Sequence, residues 1–104
     1  MKKYEKQIER GDLKGATHLE VSVYYTKGGM NYFSGNTNPR GYYLSVRPVK
    51  RGNNMVSFDL FSGCKRLLLE TARYTDKQFQ RAIEMAKDYE DDLITAVVAE
   101  CKAA

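Results

Sequence analysis

VSVYYTKGGMNYFSGNTNPRGYYLSVRPVKRGNNMVSFDL, residues Val21 to Leu60, is the stretch that decides the fold. Apolar and polar residues alternate through its three best runs, and glycine-rich or Asn-Pro-Arg-Gly clusters separate them. Period-two alternation between turn signals is the pattern of half-buried antiparallel strands. The first strand is expected from about Thr17 to Thr26, with Leu19, Val21, Val23 and Tyr25 on the core face and His18, Glu20, Ser22 and Tyr24 on the other. Lys27-Gly28-Gly29 is a turn signal, since glycine supplies the positive φ of hairpin turns. Met30 to Phe33 reads as a short returning strand, and Ser34 to Gly41 as a loop. Tyr42 to Val49 follows as a strand with Tyr42, Leu44 and Val46 inward and Tyr43, Ser45 and Arg47 outward. Pro48 cannot donate to a ladder, so the strand meets an edge or leaves the sheet there. Lys50 to Asn54 makes a basic hairpin loop, and Val56, Phe58 and Leu60 alternate in a last strand. Short connections throughout favour an antiparallel meander.

Downstream the period changes to that of a helix. Ser62 is a candidate N-cap for a helix to about Arg73, with Cys64, Leu67, Leu68 and Ala72 as its inward stripe. Thr75-Asp76-Lys77-Gln78 has the form of a capping box. Beyond it Phe79, Ala82, Ile83, Ala86, Tyr89, Leu93 and Val97 recur at three- and four-residue steps. Continuous to Cys101, that helix is about 26 residues and ~39 Å long, whereas strands of seven or eight residues span ~25 Å. An overhang is therefore expected. Ile94 and Val98 form a second narrow apolar stripe there, which makes them the candidate surface of a homodimer. The rival covering is residues 2–13 folding back through Tyr4, Ile8 and Leu13. Residues 2–10 place Tyr4 and Ile8 one turn apart ahead of Gly11, the pattern of a short helix, docked or frayed. The expected architecture is one α+β domain: N-terminal segment 1–15, a sheet of three or four antiparallel strands over 16–61, and a helical cover over 62–103 on one face.

Length and composition bound the rest. A chain of 104 residues with 42% hydrophobic and 29% charged residues is one ordinary globular domain. No apolar run approaches the ~20 residues that span a bilayer. The charged start Met-Lys-Lys-Tyr-Glu-Lys lacks the apolar region of a signal peptide, so cytoplasmic residence is expected. The two cysteines, Cys64 and Cys101, lie in apolar stripes and read as small buried hydrophobes. His18 is the single histidine and has no ligand partner nearby, so neither metal nor cofactor is expected. No nucleophile elbow, phosphate loop or calcium loop is present. The expectation is a binding protein without catalytic activity.

Charge is uneven along the chain. Residues 1–73 carry thirteen Lys/Arg against six Asp/Glu, residues 74–104 four against seven, and the whole is +4. Seven basic residues and one acidic lie between Lys27 and Arg66. Of the pairs Tyr24-Tyr25 and Tyr42-Tyr43, one member each goes to the core. Tyr24 and Tyr43 are then left on the uncovered face beside Arg47, with Lys27, Arg40, Lys50 and Arg51 at the rims. Exposed aromatics beside basic residues suit base stacking and phosphate pairing. The same residues are enriched in protein interfaces, and cross-strand tyrosines also simply stabilise sheets. The partner is thus nucleic acid or a nucleoprotein, a host protein, or none on this face.

Gly28-Gly29-Met30-Asn31-Tyr32-Phe33-Ser34-Gly35, Pro39 to Val46, Pro48-Val49 and Phe58 to Lys65 form a segment that resembles small uncharacterised proteins carried by phages and conjugative elements. The resemblance covers about half the chain and implies a mobile-element accessory protein, with no activity or site residues to transfer. Within that setting the first expectation is nucleic-acid or nucleoprotein binding. Its alternatives are a protein-directed inhibitor of a host defence nuclease and a structural, oligomeric module. The order helix, three strands, helix is also similar in topology to double-stranded-RNA-binding domains, though fold alone does not give function.

Overall fold

The computed structural model describes residues 1–13, 15–30, 37–50, 55–56 and 63–103. Its elements are β1 (Tyr4–Glu9), β2 (His18–Thr26), β3 (Gly29–Met30), β4 (Thr37–Asn38), β5 (Gly41–Lys50), β6 (Met55–Val56), β7 (Cys64–Glu70), α1 (Asp76–Ala86) and α2 (Glu90–Ala103). β1, β2, β5 and β7 lie side by side, each antiparallel to its neighbour, and β3 with β4 makes a separate two-stranded ribbon. The fold is α+β, an antiparallel meander with two C-terminal helices over one face.

The two strands with the clearest alternation form its centre. Their register sets Val21 opposite Val46 and Val23 opposite Leu44, so apolar side chains pair across the ladder. These four are buried together with Leu19, Leu68, Phe79, Ala82, Ala86 and Val97. The far side of β5 pairs with β7 over Gly41 to Val46 and with β6 at Val49 and Lys50. Pro48 falls between those two pairings, where its missing N–H is no loss on that side.

Tyr42 ties the layers together. Its hydroxyl donates to the Thr75 carbonyl and accepts from the Thr75 N–H, both at 2.9 Å. Thr75 in turn caps α1, its Oγ1 accepting from the Gln78 N–H at 3.1 Å. The ring packs with Tyr25, Tyr74 and Phe79 at centroid distances of 5.1, 5.8 and 6.5 Å. Much of the chain's tyrosine is thus spent on joining sheet to helix.

Three expectations are corrected. Residues 2–10 are not a helix, because Tyr4–Glu9 pairs with β2 along its whole length, Ile8 opposite Leu19 and Tyr4 opposite Val23. That removes the helix, strands, helix order on which the likeness to double-stranded-RNA-binding domains stood. Residues 63–73 are not helical either, and the N-cap expected at Ser62 lies outside the described residues. Cys64–Glu70 is strand β7, and a bulge gives it one extra residue, with Tyr42 opposite Leu69 but Tyr43 opposite Leu67. The extra residue, Leu68, goes to the core while Ala72 is exposed.

The third correction concerns the long helix, which stops at Ala86 and restarts at Glu90. Both pieces therefore stay over the sheet. Arg66, on the helix side of β7, places its guanidinium 3.8 Å from the Tyr89 ring centroid at the break. Lys6 reaches from β1 to pair with Glu90, whose hydrogen bond raises the lysine pKa. The overhang is absent, and Val98 is 7% exposed in the core, with Ile94 partly buried against it. Leu13 and Ala16 join that core, so the N-terminal segment does fold back, although Tyr4 stays exposed. Phe58 and Leu60, expected in a strand, and Asn31 to Phe33 lie outside the described residues.

The end of α2 is tied down by charge. Asp12 accepts two hydrogen bonds from the Arg10 guanidinium, at 2.8 and 2.9 Å, and lies 3.4 Å from Lys102. Arg10 first, then Lys102, holds its carboxyl below the usual carboxylate range. The folded carboxyl thus titrates below the unfolded one. Its stabilising contribution is full above the unfolded pKa of ~3.9 and is lost as pH falls through the folded pKa. Wild type is expected to exceed Asp12→Asn in stability at neutral pH, and acid titration monitored by circular dichroism should show the gap closing toward pH 2.

Candidate functional site

The pleat assigns the outward face from the register. It carries Glu5 and Glu9 from β1, Glu20, Ser22 and Tyr24 from β2, Tyr43, Ser45 and Arg47 from β5, and Lys65 and Glu70 from β7. Its strand positions hold more carboxylates than cations, so the face is not the basic sheet that the linear charge count implied. The seven cations between Lys27 and Arg66 are dispersed by the fold. Arg66 is on the helix side, Arg51 lies outside the described residues, and Lys50 is at the far end of β5, about 30 Å from Gly41 along the strand. Arg47 bonds Glu20 directly across the ladder, with nitrogen–oxygen distances of 2.9 and 3.0 Å. Glu20 is buried, so this pair is screened less than a surface one and occupies the arginine.

Of the expected site residues, four come together at the end where β2 finishes and β5 starts: Tyr24, Lys27, Arg40 and Tyr43. Arg40 serves there as a strut, its Nε donating to the Lys27 carbonyl at 3.2 Å and a terminal nitrogen to the Ala72 carbonyl at 3.4 Å. Tyr43 is not the exposed platform expected of it. It is 5% exposed, its ring stacks on Tyr24 at 6.1 Å and 18°, and its hydroxyl donates to the Pro39 carbonyl at 2.7 Å. Tyr24 keeps part of its ring open. Burial raises the pKa of both phenols, helped by the Tyr43 neighbour in one case and by Glu70 in the other, while Arg47 opposes the shift at Tyr24. Both hydroxyls therefore stay protonated at neutral pH.

Beside the stacked pair lies a polar recess of about 190 Å³ lined by Tyr24, Thr26, Gly28, Gly29, Asn38, Tyr43 and Lys65. That is below the ~300 Å³ at which pockets for drug-sized ligands begin. It fits one planar or anionic group. Gly28, at φ 74°, lets β4 close the recess, since a Cβ there would lie 2.4 Å from the Asn38 carbonyl oxygen. Lys65 reaches over the rim with its Nζ 5.7 Å from the Tyr43 ring centroid. Lys65 was missed because its segment reads as a helix. Treating Leu67-Leu68-Leu69 as the apolar run of a strand is the signal that would have put it on this face.

Among the described residues no group of three or more His, Cys, Asp or Glu side chains converges as a metal site, and no helix is long and apolar enough to cross a membrane. No family model, curated protein or solved structure matches the chain.

Proposed function

We propose that the protein is a non-catalytic mobile-element accessory protein that takes a single strand of nucleic acid at the Tyr24–Tyr43–Lys65 corner. The observation that carries this reading is the pairing of a stacked, half-open tyrosine with a free-reaching lysine beside a recess of single-group size. Tyr24 offers the stacking face for a base, and Lys65 and Lys27 meet the phosphates on either side. With Arg47 paired and Arg40 bonded to backbone, two lysines remain for phosphate contact.

That number makes the expectation quantitative. Single strands release about 0.7 counterion per phosphate contact, so log affinity should fall with log salt at a slope near −1.4, much shallower than seven cations would give. The chain has no tryptophan but eight tyrosines, so tyrosine fluorescence is the intrinsic probe, and Tyr24→Leu isolates the share that comes from the stack. Titration with a short oligothymidylate is expected to quench it, and Lys65→Gln should lower the slope by about 0.7. No quenching at low salt would remove the nucleic-acid reading.

Three exposed glutamates on the same face, Glu5, Glu9 and Glu70, support a second reading, a protein-directed inhibitor that recognises a mixed-charge surface of a host defence nuclease. Recovery of one host protein in equal yield before and after nuclease treatment of the lysate would favour it.

A further inference from the structure

The charge around the Tyr24–Tyr43 recess is one-sided. Lys65 stands on its β7 side, and Lys27 is exposed on the turn after β2, next to Gly28 in the recess wall. Elsewhere on the face the described residues turn neutral or acidic. Following the register away from the recess, Tyr24 and Tyr43 give way to Ser22 and Ser45, and these to Glu20 and Arg47, whose charges cancel. Glu5 and Glu9 flank that path on β1, and of the two only Glu5 pairs with a lysine among the described residues, Lys3 at 3.3 Å. At the other end of β7, Glu70 lies opposite Gly41. Burial raises the Tyr43 phenol pKa and the Glu70 charge adds to it, so that carboxylate acts on the recess. Lys65 is the one cation on the outward side of β7.

A strand threaded through the recess by its middle carries phosphates away on both sides. Past Lys65 that backbone would meet no free cation among the described residues, with Glu9 and Glu70 bordering its path, and a field of one sign repels a polyanion. A strand that ends in the recess needs one way out, and Lys27 marks it. The stack sets the same limit, because Tyr43 covers one face of Tyr24 and leaves the other for a single base.

We infer that the corner holds the phosphorylated end of a strand and not its interior. The terminal base stacks on Tyr24, the terminal phosphate sits against Lys65, and the strand leaves past Lys27. This rests on the nucleic-acid reading above and narrows it to a terminal nucleotide that bears a phosphomonoester. Such a group carries about 1.5–2 negative charges at neutral pH, more than an internal phosphate, which suits a lysine with no second cation beside it. A 5′ and a 3′ phosphate offer the same chemistry, and the test separates them.

Tyrosine quenching is measured with linear oligothymidylates bearing a 5′ phosphate, a 3′ phosphate or neither, and with a covalently closed circle of the same length. One of the phosphorylated ends is expected to bind roughly tenfold or more tightly than the plain strand. The circle should not quench where the linear phosphorylated strand saturates. Lengthening the linear strand should leave its affinity unchanged, since interior registers multiply with length and ends do not. Lys65→Gln, an exposed change, should abolish the preference for the phosphorylated end. A circle that quenches as well as the linear strand overturns the inference, as does an equal affinity of all three linear strands, and either result leaves the nucleic-acid reading standing. No quenching by any linear strand removes both.

Discussion

Leu44→Ala is expected to remove about 2–5 kcal/mol of unfolding free energy, a large share of the 5–15 kcal/mol typical of a small domain. Leu44 is fully buried at the middle of β5, opposite Val23 on one side and Arg66 on the other, under the two helices. No neighbour can collapse into the space easily, because strands flank it on both sides. Urea denaturation followed by far-ultraviolet circular dichroism should show a lower midpoint with an unchanged slope. Lys50→Ala, an exposed change at the end of the same strand, should move the midpoint little. A loss below about 1 kcal/mol at Leu44 would mean that the strand faces are assigned the wrong way round.

Gly41→Ala should be nearly as damaging, for a reason unrelated to burial of apolar surface. A Cβ at Gly41 would lie 2.2 Å from the Leu69 carbonyl oxygen and 3.0 Å from the Glu70 Cα. Both are backbone atoms of β7, so relief requires that strand to move rather than a side chain to turn. Overpacking of this kind costs about 1–3 kcal/mol and occasionally more. Hydrogen exchange should show β7 amides losing protection while those of β1 and β2 keep theirs. Gly11→Ala is the control, since nothing lies within 4 Å of a Cβ there. Equal stability of Gly41→Ala and wild type would refute the close approach of β7.

What was legible in the sequence was the part governed by one period. β2 and β5 alternate without interruption, so their core faces could be assigned residue by residue, and Phe79 to Cys101 kept its apolar stripe. The failures share a physical cause, that a single position answered to a partner far along the chain. β1 places Lys6 between Tyr4 and Ile8 on the inward side, breaking the alternation in favour of Glu90. In β7 the bulge turns a period of two into steps that mimic a helix, and the inward Arg66 is explained only by Tyr89. The helix break at 87–89 contains neither glycine nor proline, and the stripe continues on both sides of it.

The site was half legible for the same reason. Alternation put Tyr24, Tyr43 and Arg47 on the outward face, and the register agrees. Which of them remained available was decided by cross-strand neighbours. Glu20 took Arg47, Tyr24 and Pro39 covered Tyr43, and Lys65 entered from a strand mistaken for a helix.

All four principal strands precede both helices in the chain, and this order sets a schedule on the ribosome. The sheet's last strand ends at Glu70 and its cover is complete only at Ala103. At roughly 5–20 residues per second, synthesis of the intervening segment takes about 2–7 s, long compared with the microseconds in which a hairpin closes. Leu19, Val21, Val23, Leu44 and Val46 thus leave the ribosome ahead of Phe79, Ala82 and Val97, which shield them in the fold. Each nascent chain passes through an interval with an open aliphatic sheet face, the kind of surface that holding chaperones recognise.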